Sequence, residues 1–295
     1  MHYSGIVYRP PFETRSLLLE VTVGCSHNAC SFCTMYRDTA FRVQPIEQIE
    51  EDLKEARDFA PHTTRVFLEN GDPFVLSFER LSEIAEKVHQ YLPETETIAM
   101  YASINNVRNK TDEELKKLRA LGINELNVGV ESGLNDALRY MNKGYTAEEA
   151  IYELKRLKEA GMDYGANIIF GIAGEGRHYE NAAATAELLN ETKPYLIFTG
   201  TIHADPGCPL YEDMEKGAFI ESTFEEYLDE EEELIKKLKL ESCYYFGLHP
   251  SNVVQMQGNL AEDRSVMLQE IDRRRKMLGK RLKDRPMRYG EGAII

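Results

Sequence analysis

Six short runs of apolar and β-branched residues punctuate the chain, at Leu17–Val23, Arg65–Leu68, Thr97–Tyr101, Glu125–Val130, Tyr164–Phe170 and Tyr195–Ile202. Each is short and rich in residues that favour a pleated surface, so each predicts a strand. Between them, apolar positions recur at helical spacing. Ile46, Ile49, Leu53 and Ala56 form one stripe, and Leu81, Ile84, Ala85 and Val88 a second. Leu115, Leu118 and Leu121 mark a third, and Ala150, Leu154, Leu157 and Ala160 a fourth. Thr111 with Glu114 and Thr146 with Glu149 read as capping boxes, while Gly122 and Gly161 fall where helices should stop.

Strand and helix alternating about six times imply a parallel sheet with crossover helices. An open doubly wound sheet and a barrel short of eight units both fit. Polar or glycine residues end several strands, the distribution expected where many strand tips share a ligand. The expected class is α/β, a partial (β/α)6 TIM-like barrel over 17–210, preceded by an arm (1–16). A mostly helical C-terminal extension (211–295) follows. Within it the pattern predicts an acidic helix (Phe224–Leu240) and a basic one (about Arg264–Lys283). Tyr244, Tyr245, Phe246 and His249 between them either cap the mouth or join the core.

Composition narrows the classes. A chain of 295 residues can bury one large core or two modest ones. No segment is long and apolar enough to span a bilayer. Met1 to Pro11 lacks a basic stretch followed by an apolar one, so no signal peptide and a cytoplasmic location are expected. The net charge of −15 argues against a nucleic-acid surface covering the protein. Arg264 to Arg288 is nevertheless dominated by Arg and Lys. A solvated helix face is preferred there, with an anionic substrate or RNA as alternatives.

Three of the five cysteines, Cys25, Cys30 and Cys33, sit on the loop leaving the first strand. The carboxyl end of a strand is where α/β proteins place their chemistry. Iron–sulfur clusters normally take four cysteines, so three suit a four-iron cluster with one iron open to an outside ligand. Zinc held by Cys25, His27, Cys30 and Cys33 would need four ligands within nine residues, unlike the usual two separated pairs. An electron-transfer cluster would need Cys208 or Cys243 as a fourth ligand; both read more simply as small buried hydrophobes.

The cluster motif and the strand tips that follow resemble the radical S-adenosylmethionine enzymes, over about Leu17 to Leu210. The family spacing is Cys-x3-Cys-x-aromatic-Cys. Here Cys30, Phe32 and Cys33 match its second half, with one extra residue before Cys30. The resemblance implies a 4Fe–4S cluster on Cys25, Cys30 and Cys33. It further implies S-adenosylmethionine bound by strand tips, with Phe32 beside the cluster. Asn70, Gly71 and Asp72, followed by Pro73, are similar to the family's Gly-Gly-Glu-Pro tip, which takes the methionine amino group. Ser103 and Asn105 stand where the ribose or methionine carboxylate would be met. The tip with Glu131 and Ser132 resembles the Gly-Val-Glu/Gln-Ser strand of the branch containing oxygen-independent coproporphyrinogen oxidase and the elongator-type enzymes. Lys143 stands in place of that branch's Arg, as a carboxylate partner or a structural ion pair. Asn167 and Ile169 occupy the adenine strand. His203 begins a segment similar to the branch's Pro-Gly-Thr-Pro-Leu.

The implied reaction is reductive cleavage of S-adenosylmethionine, after which the 5′-deoxyadenosyl radical takes hydrogen from a substrate. An electron donor such as flavodoxin or ferredoxin is implied. A small metabolite or cofactor precursor is the favoured substrate. RNA modification and a non-enzymatic iron–sulfur or zinc protein are the alternatives.

Overall fold

The computed structural model describes residues 1–286; Arg288, the last of the basic run, lies outside the described residues. The strands are β1 (Leu17–Glu20), β2 (Thr22–Val23), β3 (Arg42–Val43), β4 (Arg65–Glu69), β5 (Thr97–Ala102), β6 (Ile123–Glu131), β7 (Asp163–Phe170), β8 (Leu196–Thr201), β9 (Tyr244–Phe246) and β10 (Gln257–Asn259). The helices are α1 (Ile46–Phe59), α2 (Phe78–Tyr91), α3 (Ile104–Arg108), α4 (Asp112–Ala120), α5 (Asn135–Tyr140), α6 (Ala147–Glu159), α7 (His178–Thr192), α8 (Pro209–Glu215), α9 (Phe224–Lys237) and α10 (Leu260–Leu278). All six predicted strands form, the first broken into β1 and β2. No helix among the described residues is long and apolar enough to cross a membrane.

The chain forms two compact units. The first comprises 1–28, 36–129 and 152–164; the second comprises 29–35, 130–151 and 165 onward. In the first unit β1, β4, β5 and β6 pair side by side in parallel. Alternation sorts their residues onto two faces. Leu19, Val66, Leu68, Ile98, Met100, Leu126 and Val128 are fully buried on one of them. The apolar stripes of α1, α2 and α4 complement that face, with α1 on β1, α2 on α1 and α4 on α2. The opposite face is polar. There Glu13 and Glu125 hold Arg65 at 2.6 Å each, and Phe67 meets the Tyr101 ring edge-on at 5.3 Å. The Thr111–Glu114 capping box forms as expected.

In the second unit β7, β8 and β9 are parallel and β10 returns antiparallel on β9. Of the two expectations for Tyr244 to Phe246, a cap over the mouth or part of the core, the segment takes the second, as a sheet strand. Tyr245 points into the core and donates to Glu231 of α9 at 2.5 Å. Three aromatics in a row carried too little alternation to reveal a strand. The acidic helix forms as α9 and packs against α7 and α10. Cys208 and Cys243 are buried, and burial pushes the Cys243 thiol up to about 12, which makes it inert.

Candidate active site

In the first unit, the cysteine loop and the tip of β4 form one structure. Gly24, at φ +77°, turns the chain out of β2 into Cys25, a conformation that favours glycine. Gly71 then lies so close that a Cβ on it would meet the Cys25 Cβ at 2.5 Å and its Cα at 2.9 Å. The Gly71 amide donates to the Gly24 carbonyl at 3.0 Å. Asp72 accepts from the Ser26 amide at 2.9 Å and the Ser26 hydroxyl at 2.5 Å. Burial raises the Asp72 pKa, with the Ser26 bonds opposing. Asn70 takes the left-handed conformation (φ +79°) and donates to Glu20. The Asn70–Gly71–Asp72 tip therefore braces the residues on both sides of Cys25. Ser103 caps α3 through a reciprocal box with Asn106, and Asn105 occupies the first turn of that helix.

In the second unit, Cys30 and Cys33 share a turn, the Cys33 amide donating to the Cys30 carbonyl at 3.2 Å. The segment is stitched to the loop after α5. The Ser31 amide and hydroxyl reach the carbonyls of Met141 and Tyr140, and Asn142 reaches that of Ala29 at 2.8 Å. Beside this turn lies a buried ion pair, Lys143 Nζ to Glu131 Oε1 at 2.9 Å. Burial works against the Lys143 charge, but Glu131, Tyr145 and Cys30 together hold the pKa well above the ordinary value. The ammonium also lies 5.9 Å from the Phe32 ring centroid. Burial raises the Cys33 thiol pKa, while the Met35 amide and Lys143 lower it. Lys143 thus favours the thiolate that a cluster requires. Glu131 adopts φ +63°, an unusual conformation for a non-glycine residue.

The neighbouring Ser132 does not face outward. Its hydroxyl donates to Asn181 Oδ1 at 2.5 Å and accepts from the Leu134 amide. Asn167 pairs in register with Phe198, and Phe198 with Phe246. Ile169 lies two residues on along the same face of β7. His203 bonds Asp205 at 2.8 Å, and Asp205 accepts from Thr34 two residues after Phe32.

Three residues, Glu69, Asn127 and Tyr36, escaped the sequence reading. Glu69 and Asn127 are buried on the polar face of the first unit, as Tyr36 is near Cys25. A charge and an amide inside buried strands were the available signal. His249, in the second unit, lies edge-on to Phe198 at 5.9 Å and beside Ser251 at 2.7 Å. Burial, then His203, lowers its pKa from the ordinary imidazole value.

Among the described residues, no three His, Cys, Asp or Glu side chains gather as a single-ion cage. A four-iron cluster is larger than one ion, and its thiolates stand further apart. Three half-buried thiols, two of them under the field of Lys143, fit such a cluster in number and chemistry.

The heme chaperone HemW of Bacillus subtilis (strain 168) is 23% identical over 201 residues, 65% of this chain and 52% of that one. The tRNA-2-methylthio-N(6)-dimethylallyladenosine synthase of Aquifex aeolicus (strain VF5) is 23% identical over 194 residues, 64% of this chain and 43% of that one. The chain thus spans about half the length of these curated relatives. The radical S-adenosylmethionine methyltransferase TsrM from Kitasatospora setae, with cobalamin and a 4Fe–4S cluster bound, has a similar structure. Its TM-score is 0.56 at 18% identity, over 69% of this chain and 40% of that one. Methylornithine synthase (PylB) gives a TM-score of 0.54 at 17% identity, over 92% of this chain and 83% of that one. These likenesses show the mostly parallel α/β fold. The family model of the radical SAM superfamily matches residues 19–188, more than half the chain, and the chain belongs to that superfamily.

Proposed function

We propose that this protein is a radical S-adenosylmethionine enzyme acting on a small molecule. Cys25, Cys30 and Cys33 would hold a 4Fe–4S cluster with one open iron. Bound there, cluster and S-adenosylmethionine would supply one-electron chemistry, cleavage of the sulfonium giving a 5′-deoxyadenosyl radical that takes hydrogen from the substrate. The observation that carries this reading is the close approach of Gly71 to Cys25. It ties the second strand tip to the cysteine loop, so that the first thiol is held before any metal arrives.

The chain's own residues supply positioning and charge. Asp72 and Ser26 fix the loop after Cys25. Burial opposes the thiolate at Cys33, and the Lys143 ammonium, paired with Glu131, works in its favour. Asn167, Ile169 and Phe198 offer the amide and apolar surface that an adenine would meet. The branch containing coproporphyrinogen oxidase and the elongator-type enzymes remains the best placement, on the Glu131–Ser132 tip.

A small substrate is favoured over RNA because the basic helix is engaged. Arg275 pairs with Asp229 and Glu232, Arg273 with Glu270, and Lys276 with Asp272. Lys283 pairs with Glu225, and Arg264 donates to the Ile235 carbonyl.

Anaerobic reconstitution with iron and sulfide tests the reading, followed by electron paramagnetic resonance of the dithionite-reduced protein. The expected result is a reduced 4Fe–4S signal that shifts when S-adenosylmethionine is added. A protein retaining only zinc, or a signal indifferent to S-adenosylmethionine, would count against the proposal.

A further inference from the structure

The polar face of the first unit carries hydrogen-bonding capacity that the protein leaves unmet. The register pairs Glu20 with Glu69, Leu68 with Met100 and Tyr101 with Asn127. Glu20, Glu69, Tyr101 and Asn127 therefore form one row across four parallel strands. They share the face on which Phe67 meets Tyr101.

Within this row the partners are unevenly distributed. Glu20 accepts from the Ser4 amide and hydroxyl, from Gln44 and from Asn70. Glu69 is 0% exposed, and neither of its oxygens has a partner. Asn127 is 1% exposed, and neither its amide nitrogen nor its oxygen has one. Thr22, two residues beyond Glu20, and Tyr36, within the field of Glu69 and Cys25, also have unpartnered hydroxyls. Buried polar groups are rarely left this way without an ion, water or ligand to meet them.

The character of the missing group follows from the acceptors. Glu69 offers two unpartnered acceptor oxygens, and Asn127 one acceptor and one donor. Glu69 and Glu20 make the local potential negative, with Arg9 the cation set against it. A primary ammonium has three donors and a positive charge, which suits the open Glu69 carboxylate and the Asn127 amide oxygen. A neutral hydroxyl has one donor and leaves the negative potential unanswered.

We infer that this row is a substrate subsite for a protonated amine, with Glu69 and Asn127 as its recognition residues. The inference rests on the preceding reading only in taking the amine to be the molecule that loses hydrogen. Phe67 and Tyr101 on the same face suit an aliphatic or aromatic group attached to that nitrogen.

The test uses the reconstituted holoprotein under anaerobic conditions and calorimetric titration with two matched pairs. These are benzylamine against benzyl alcohol, and methylammonium against methanol. At least one amine should bind tenfold or more tightly than its alcohol. Glu69→Gln should cut amine affinity by tenfold or more while S-adenosylmethionine affinity stays within twofold. Asn127→Ala should cut amine affinity by a smaller factor, and it decides the matter if Glu69→Gln does not fold. No binding by either amine, or equal binding of amine and alcohol, overturns the inference. Equal loss of amine and S-adenosylmethionine affinity in Glu69→Gln also overturns it, because the carboxylate would then serve the cofactor. Amine binding is read without cofactor cleavage, so failure here is distinct from failure of the radical reading.

Discussion

Two sets of buried carboxyls invite comparison, one in each unit. In the second, Glu230 accepts from Asn181 at 2.5 Å and from the Gly171 amide at 2.9 Å, and Glu231 accepts from Tyr245. Asn181 in turn receives Ser132. In the first, Glu69 is equally sealed and has no partner. Burial raises all three, Glu230 and Glu231 to about 8 and Glu69 to about 7. Burial and altered acidity are therefore common to both sets. The difference is satisfaction: the bonded carboxyls tie α9 to α7, to the turn after β7 and to β9, whereas the unbonded one is, on our inference, left for a ligand.

The sharpest local constraint is at the cysteine loop. Gly71→Ala would force a Cβ into Cys25, so iron retention after reconstitution is expected to fall on the order of tenfold or more by metal analysis. An unchanged iron content would separate the β4 tip from the cluster site.

Glu230→Leu breaks the satisfied set. It strips the Asn181 amide and the Gly171 amide of their acceptor, and about 2–4 kcal/mol of stability should be lost in urea unfolding. Glu69→Leu deprives no neighbour of a bond, so its effect should lie between neutral and about 2 kcal/mol stabilising. If the two variants destabilise alike, the comparison fails.

The pH dependence sharpens it further. All three carboxyls have folded pKa values above the ordinary 4.5, so the folded state favours their protonated forms. That contribution is complete below about pH 4.5. It is lost as pH rises through about 7 for Glu69 and about 8 for the other two, by at most about 1.4 kcal/mol per unit for each group. Melting temperature should therefore decline between about pH 4.5 and 8 and level off above, and Glu230→Gln should flatten that decline. A slope unchanged by the substitution would assign it to other groups.

Much of this was legible in the sequence. Periodicity located all six parallel strands because each is a buried, β-branched run, and the three closely spaced cysteines marked the loop after the first of them as the candidate cluster site. Strand β9 escaped because Tyr244, Tyr245 and Phe246 are all aromatic, although only Tyr245 faces the core. Ser103 and Ser132 end strands, and their local roles as a helix cap and as part of a buried hydrogen-bond chain depend on partners that the strand pattern alone does not reveal. Glu69 was passed over as the residue before a turn. Its importance depends on what fails to surround it, which no one-dimensional pattern records.

The most direct test of the central claim is 5′-deoxyadenosine production. Reconstituted protein, reduced with dithionite in the presence of S-adenosylmethionine, should release 5′-deoxyadenosine, detected by liquid chromatography and mass spectrometry. Cys33→Ala, prepared identically, should release none. Absence of the product from wild-type protein carrying a full cluster would contradict the account, as would equal production by Cys33→Ala.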